Sequence, residues 1–244
     1  MSIKRIIFIF ALFPLAMCQA ADEKYKAGEH YDILPQQVRT ANSKKIEVNE
    51  VFSYTCNHCY NFQKNLHPWV EKLPADVDFQ STQVVWKPKY EPFARAYYTA
   101  KILKVLDQVH MPIFESIHLQ KKSKLTEADF AAIFAAKGVD KKNFTKVFNS
   151  FGTTSMVNQA KSRVRGYQVR GTPEMIINGK YRVSTTKAGG FSGMLSVAEF
   201  LIDKERSLAK NLAEGAGSKS KDPVKEGGSK AKDTVEEGRT TIAE

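Results

Sequence analysis

Cysteine is scarce in this 244-residue chain, which holds only Cys18, Cys56 and Cys59. Three are too few for a disulfide scaffold, and they cannot supply the four ligands of a zinc ribbon. Long apolar runs are missing as well. The 13 residues from Ile6 to Cys18 fall short of the roughly 18–20 that a membrane helix needs, and no other run is longer. Acidic charge is in deficit, with 26 Asp and Glu against 37 Lys and Arg, leaving +11. That excess is not laid out as a basic stripe interleaved with aromatics, so nucleic acid is not expected as a partner. What the chain does have is apolar substance. Hydrophobic residues make up 42% and aromatics 11%, enough to bury a core in one large or two small domains and to exclude wholesale disorder.

The two ends differ from the middle. Residues 1–20 read MSIKRIIFIFALFPLAMCQA, with Lys4 and Arg5 before the apolar stretch and small residues at Cys18 and Ala20. This is the pattern of a secretory signal peptide cut after Ala20. The competing readings are a buried N-terminal helix and a lipoprotein acylated at Cys18, the latter opposed by the bulk of Met17. Removal of the signal lowers the charge from +11 to +9 and leaves Cys56 and Cys59 as the sole cysteines. From Ser207 to Glu244 the chain has no aromatic residue, five glycines and a balanced seven basic and seven acidic side chains. Segments starting at Ser218 and Ser229 match at seven of ten places. Residues 207–244 read as a flexible, disordered Lys/Glu/Gly-rich tail, with envelope or partner binding as its alternative use.

Between the ends, Lys45 to Tyr54 has the β-branched and aromatic content of a buried strand. It leads into Cys56-Asn57-His58-Cys59, after which Tyr60, Phe62, Leu66, Trp69, Val70 and Leu73 recur at helical spacing until Pro74. Val77 to Trp86 is a second strand, and strand–helix–strand implies a parallel pair with a right-handed crossover. Helices are then predicted over Ala94 to Leu106, with Ile102 in the core, and from Thr126, whose Asp129 completes a capping-box pattern. Gly138 is read as a stop. Asp140 is read as the cap of a helix carrying Phe144, Val147, Phe148 and Phe151. A last helix is expected from Thr154 to Arg165. Glu174 to Ile177, the turn Asn178-Gly179 and Lys180 to Ser184 form a hairpin, and Phe191 to Leu201 a closing helix. The expected fold class is α/β, in the order βαβ, a helical block, then ββα, with one sheet split in sequence by a helical insertion. The expected domains are 21–91 with 167–206, and the insertion 92–166.

A Cys-x-x-Cys at a helix start has a specific chemical use. The first cysteine meets unpaired backbone N–H groups and the positive end of the macrodipole, which favour its thiolate. Cys59 lies one turn on, near enough to close a small disulfide with Cys56. His58 adds a donor and, when protonated, a positive charge beside the sulfur. Stabilising the thiolate stabilises the dithiol, so the disulfide becomes the stronger oxidant. Haem attachment would need a histidine where Tyr60 stands. A metal site drawing on His30, His67, His110 or His118 and a passive structural disulfide are the other readings. Gly171-Thr172-Pro173, just before the hairpin, is the second signal: a cis X–Pro bond there would present a backbone edge to a substrate strand, against the plainer reading of a trans proline opening a strand.

Phe52 to Phe62 and Val169 to Tyr181 together resemble the DsbA family of periplasmic thiol:disulfide oxidoreductases, and the likeness extends over roughly residues 25–205. The resemblance implies a thioredoxin fold with an inserted helical domain and donation of a disulfide to exported proteins. It implies that Cys56 is the exposed nucleophile and Cys59 the resolving thiol, joined as the redox-active disulfide. His58 would destabilise the oxidised form, Pro173 would be the cis-proline and Thr172 would bind substrate. Glu50 matches a buried acid behind Cys59; its alternative is a solvated strand-end carboxylate. Asn57 replaces the family's usual proline, Thr172 the apolar residue of the best-known member, and Gln63 an acid.

The resemblance also sets expectations about partners. Clients would be unfolded exported proteins with free thiols. Reoxidation would come from a DsbB-like membrane protein that passes electrons to quinone. No cofactor or metal is called for, and the protein would act as a monomer. An isomerase or reductase of the same fold is the runner-up, although residues 21–45 are too short for an isomerase's dimerisation domain. A peptide-binding chaperone, or an envelope protein acting through the tail, is the reading from a different class.

Overall fold

The computed structural model describes residues 23–122 and 124–218. The segment read as a signal peptide, Cys18 and most of the tail lie outside them. Five strands form one mixed sheet in the order β1-β5-β4-β2-β3. They are β1 (Asp32–Ile33), β2 (Ile46–Phe52), β3 (Val77–Gln83), β4 (Glu174–Ile177) and β5 (Tyr181–Ser184). β2 and β3 are parallel and joined through helix α1 (Asn57–Val70), as a strand–helix–strand unit requires. β4 runs antiparallel to β2, and β5 and β1 extend that edge. The hairpin turn works because both Asn178 and Gly179 take left-handed backbone conformations, at φ 51° and 63°.

β2 sits between two neighbours and is buried along nearly its whole length, so side chains leave it in both directions. Val48 packs with Phe62 and Leu66 of α1, Met175 and Ile177 of β4, and Met194, Val197 and Leu201 of the last helix. Val51 packs on the opposite side with Val164, Tyr167 and Ile176. The third cluster belongs to the helices between β3 and β4: α2 (Glu91–Ile102), α3 (Leu106–His118), α4 (Glu127–Ala135), α5 (Lys141–Phe148) and α6 (Phe151–Gly166). Its aromatic core includes Phe93, Phe114, Phe130, Phe134 and Phe144, and it reaches Phe52, Tyr54 and Cys59. The helical insertion therefore packs directly behind the Cys-x-x-Cys.

Several element ends differ from the sequence reading, each for a local reason. α1 stops at Val70, ahead of Pro74, and accommodates Pro68 inside its last turn. The helix expected over Ala94 to Leu106 is two helices: Lys104 adopts φ 58° between them, and Ile102, expected in the core, is 40% exposed. Phe151 does not belong to α5. Ser150 accepts from the Thr153 amide and starts α6, leaving Phe151 87% exposed. The Thr126 capping box and the Asp140 cap form as expected. A four-residue helix, α7 (Thr185–Ala188), precedes α8 (Phe191–Ser218). α8 runs well past Leu201, so residues 207–218 of the expected disordered tail are helical. Residues 207–214 contain no Gly or Pro, and a helix already nucleated adds turns at little cost.

Candidate functional site

Cys56 is the N-cap of α1. Its extended backbone leaves the helix-starting amides free, and the Cys59 N–H donates to Cys56 Sγ at 3.4 Å. Both cysteines are free thiols; Cys56 is half-buried and Cys59 fully buried. Their acidities diverge. The Cys56 thiol is pulled down to about 5, chiefly by the Cys59 thiol donating to it, with help from the Thr172 side chain and the Cys59 and His58 amides, and against some burial. Burial pushes the Cys59 thiol far up, and the negative charge expected on Cys56 adds to the effect. At neutral pH the pair is one thiolate and one thiol sharing a proton.

The loop Gly171-Thr172-Pro173 comes from 116 residues further along the chain and lies against Cys56. The Thr172–Pro173 bond is cis. Thr172 acts on Cys56 in two senses: its carbonyl oxygen lies 3.2 Å from Sγ and accepts from the neutral thiol, whereas its side chain favours the thiolate. His58 reaches Cys56 through its backbone amide, and its imidazole is exposed.

Glu50 is fully buried on β2, the strand that runs into the site. Gln63 Nε2 donates to its Oε1 at 2.9 Å and Ser81 Oγ to its Oε2 at 3.3 Å. Burial outweighs both bonds and raises the carboxyl to about 8. Glu50 borders a cavity of about 700 Å3, whose other walls include His67, Ser81, Lys101 and Asp107. The alternative of a solvated strand-end carboxylate for Glu50 does not describe this position.

Three residues around the site, Tyr54, His110 and His118, have a role that the sequence did not assign to them. The Tyr54 amide donates to Gln83 Oε1 at 2.9 Å, its hydroxyl meets His110 Nδ1 at 2.8 Å, and its carbonyl meets His118 Nε2 at 2.8 Å. His118 also stacks on Tyr60 at 5.0 Å between ring centroids. Burial holds His110 down at about 3, so it is neutral. These contacts fix the backbone that delivers Cys56. In the sequence the two histidines, eight positions apart, stood only among the candidate ligands of a metal site.

A helix-capping cysteine with a depressed pKa, a buried partner thiol one turn on, and a cis-proline loop that opens the neighbouring strand β4 and lies against the first sulfur define a thioredoxin-fold thiol:disulfide oxidoreductase. A family model described as the DSBA-like thioredoxin domain matches residues 76–193. The thiol:disulfide interchange protein DsbA of Pseudomonas aeruginosa PAO1 is 40% identical over 194 residues, covering 80% of this chain and 92% of that protein. Its counterpart in Pseudomonas syringae pv. tomato is 39% identical, covering 80% and 91%. The crystal structure of Pseudomonas aeruginosa DsbA superposes with a TM-score of 0.74 at 39% identity, covering 78% of this chain and 98% of that one. The chain belongs to the DsbA family.

Proposed function

We propose that this protein donates the Cys56–Cys59 disulfide to exported proteins in the periplasm, and that a membrane quinone reductase resembling DsbB restores it. The observation that carries the oxidase direction is the divergence of the two thiols. A substrate thiolate attacks Cys56 Sγ, the S–S bond breaks, and Cys59 leaves with the electron pair and takes up a proton. Its strongly raised pKa makes that uptake favourable. Glu50, which holds a proton up to about pH 8 and interacts electrostatically with Cys59, is placed to exchange it. A second substrate thiolate then attacks the substrate sulfur of the mixed disulfide, and Cys56 leaves as a thiolate. The substrate is oxidised by two electrons and the Cys56–Cys59 pair is reduced.

The direction follows from which state is stabilised. At neutral pH the depressed pKa favours reduced protein, so the disulfide is readily given away. Thr172 and Pro173 present the edge along which a substrate strand pairs, and His58 serves Cys56 through its amide. Export is supported by the N-terminal pattern and by the family. The deciding measurement is the reduction potential of the Cys56–Cys59 couple against a glutathione series. A value well above the glutathione poise is expected. A value near or below it would overturn disulfide donation in favour of a reductase or isomerase that must be kept reduced.

A further inference from the structure

Two short segments border the end of the sheet that carries Cys56, and the exchange steps use neither. β2 and β3 run parallel with Phe52 opposite Gln83, and the Val84 amide donates to the Phe52 carbonyl at 2.9 Å. The chain leaving β3 therefore emerges beside the chain that leaves β2 for Cys56. It reads Trp86-Lys87-Pro88-Lys89, and Val85 just before it packs on the same cluster as Cys56 and Tyr60. The second segment follows α3. His118 bonds the Tyr54 carbonyl and stacks on Tyr60, so Leu119-Gln120-Lys121-Lys122 starts beside the first turn of α1. Lys121 turns the chain with φ 59°, and the Lys122 amide donates to the Ser116 carbonyl at 3.1 Å.

Each segment sets a large apolar side chain beside lysines, with Trp86 47% and Leu119 61% exposed. Lys87, Lys89, Lys121, Lys122 and Lys124 are exposed too, as is Arg170 on the Thr172 loop. None of these six cations has an ion-pair partner among the described residues. They outnumber Glu115, Glu127 and Asp129 on the adjoining ends of α3 and α4, while Glu91 is matched by Arg95 at 3.2 Å and Lys161 at 2.7 Å. A single exposed tryptophan or lysine is ordinary. Here both kinds meet at the end of the molecule where an incoming thiol must arrive, and their summed field acts on it.

We propose that this surface selects acidic clients, peptides with Asp or Glu close to the reacting cysteine, whose apolar neighbours rest on Trp86 and Leu119. This names the client class of the exchange reading above and rests on it. A bilayer seated on this end would cover the Cys56 sulfur, whereas an extended chain paired along Thr172 brings its own cysteine to it.

The test reduces the oxidised full-length protein with cysteine peptides identical except for Asp or Lys a few residues from the thiol, and with uncharged dithiothreitol. Each peptide rate is divided by that of the same peptide with neutral hydroxyethyl disulfide, which removes differences in thiol acidity. In about 10 mM salt the Asp peptide is expected to react about tenfold faster than the Lys peptide, and less than threefold faster in about 0.5 M salt. The triple variant Lys121→Gln, Lys122→Gln, Lys124→Gln and the double variant Lys87→Gln, Lys89→Gln should each cut that ratio at least twofold, with dithiothreitol within twofold of the parent. Lys44→Gln, Lys45→Gln, Lys72→Gln, exposed beyond the opposite ends of β2 and α1, should preserve it. Either site variant suffices if the other fails to fold. Asp and Lys peptides within twofold of each other in low salt, or a ratio that falls equally in the distal variant, would overturn acidic selection. So would phosphatidylglycerol vesicles binding through these lysines with no peptide preference, which would make the surface a membrane contact. A parent inert to peptides and dithiothreitol alike would instead overturn the exchange reading.

Discussion

At the scale of single residues the shifted acidities of Cys56 and Glu50 have opposite consequences for pH. The Cys56 thiol is lowered from 9 to about 5. It therefore contributes stability to the reduced protein that is fully present above about pH 9 and is lost as pH falls through about 5. The oxidised protein has no such thiol, so the stability gap between the two forms should narrow on acidification. Chemical denaturation of both forms at pH 7.5 and 4.5 measures it, and thiolate absorbance at 240 nm should titrate near pH 5 and disappear in Cys56→Ser. Glu50 works the other way. Raised from 4.5 to about 8, its contribution is present below about pH 4.5 and lost as pH rises through about 8. Glu50→Gln, with the Ser81 hydroxyl turned to accept, should gain on the parent by about 1.4 kcal/mol per pH unit across that window. A pH-independent difference in urea midpoints would contradict this. Spacing alone marked out Cys56 and Cys59, because their chemistry depends on a helix start that the sequence also signals. The surroundings of Glu50 were not legible, since Ser81 and Gln63 reach it from two other elements.

At the scale of elements, caps and turns were readable where a side chain bonds its own neighbourhood. Thr126 and Asp129 satisfy each other across three residues. Thr126→Ala should cost about 1 kcal/mol of unfolding free energy, visible as a lower denaturant midpoint with an unchanged slope. Gly179 shows the converse, where a local signal hides a long-range demand. Its φ of 63° suits the turn, and a Cβ there would lie 2.0 Å from the Val38 carbonyl oxygen. Gly179→Ala should therefore be worse than a turn penalty alone, at about 2 kcal/mol or more, because backbone rather than a movable side chain is in the way. Failures of the reading cluster where the chain bends without Gly or Pro. Lys104 interrupts what periodicity presents as one apolar stripe, and only packing decides that Ile102 faces outward; at Ser150 a local cap on the Thr153 amide was masked by the apolar spacing that runs through to Phe151.

At the scale of the whole molecule, the order βαβ, helices, ββα was written in the alternation of periods 2 and 3.6, and the family resemblance gave it a name. The short β1 and α7 were not, since two to four residues carry no period. The last helix continues beyond its packed face: Leu201, Ile202 and Glu205 are buried, whereas Leu208 and Leu212 are exposed. Ending the chain after Arg206 should leave thiol oxidation within twofold and the melting temperature within about 2 °C, and a large loss would show that the tail supports the fold. β2 finds one neighbour, β3, almost at once, but its other, β4, lies beyond five helices. During synthesis the first half of the redox centre thus emerges long before Thr172 can face it. The chain's cysteine scarcity then has a kinetic meaning: within residues 21–244, Cys56 has only Cys59 to pair with. An oxidant for other proteins can reach its finished shape without depending on the reaction it performs.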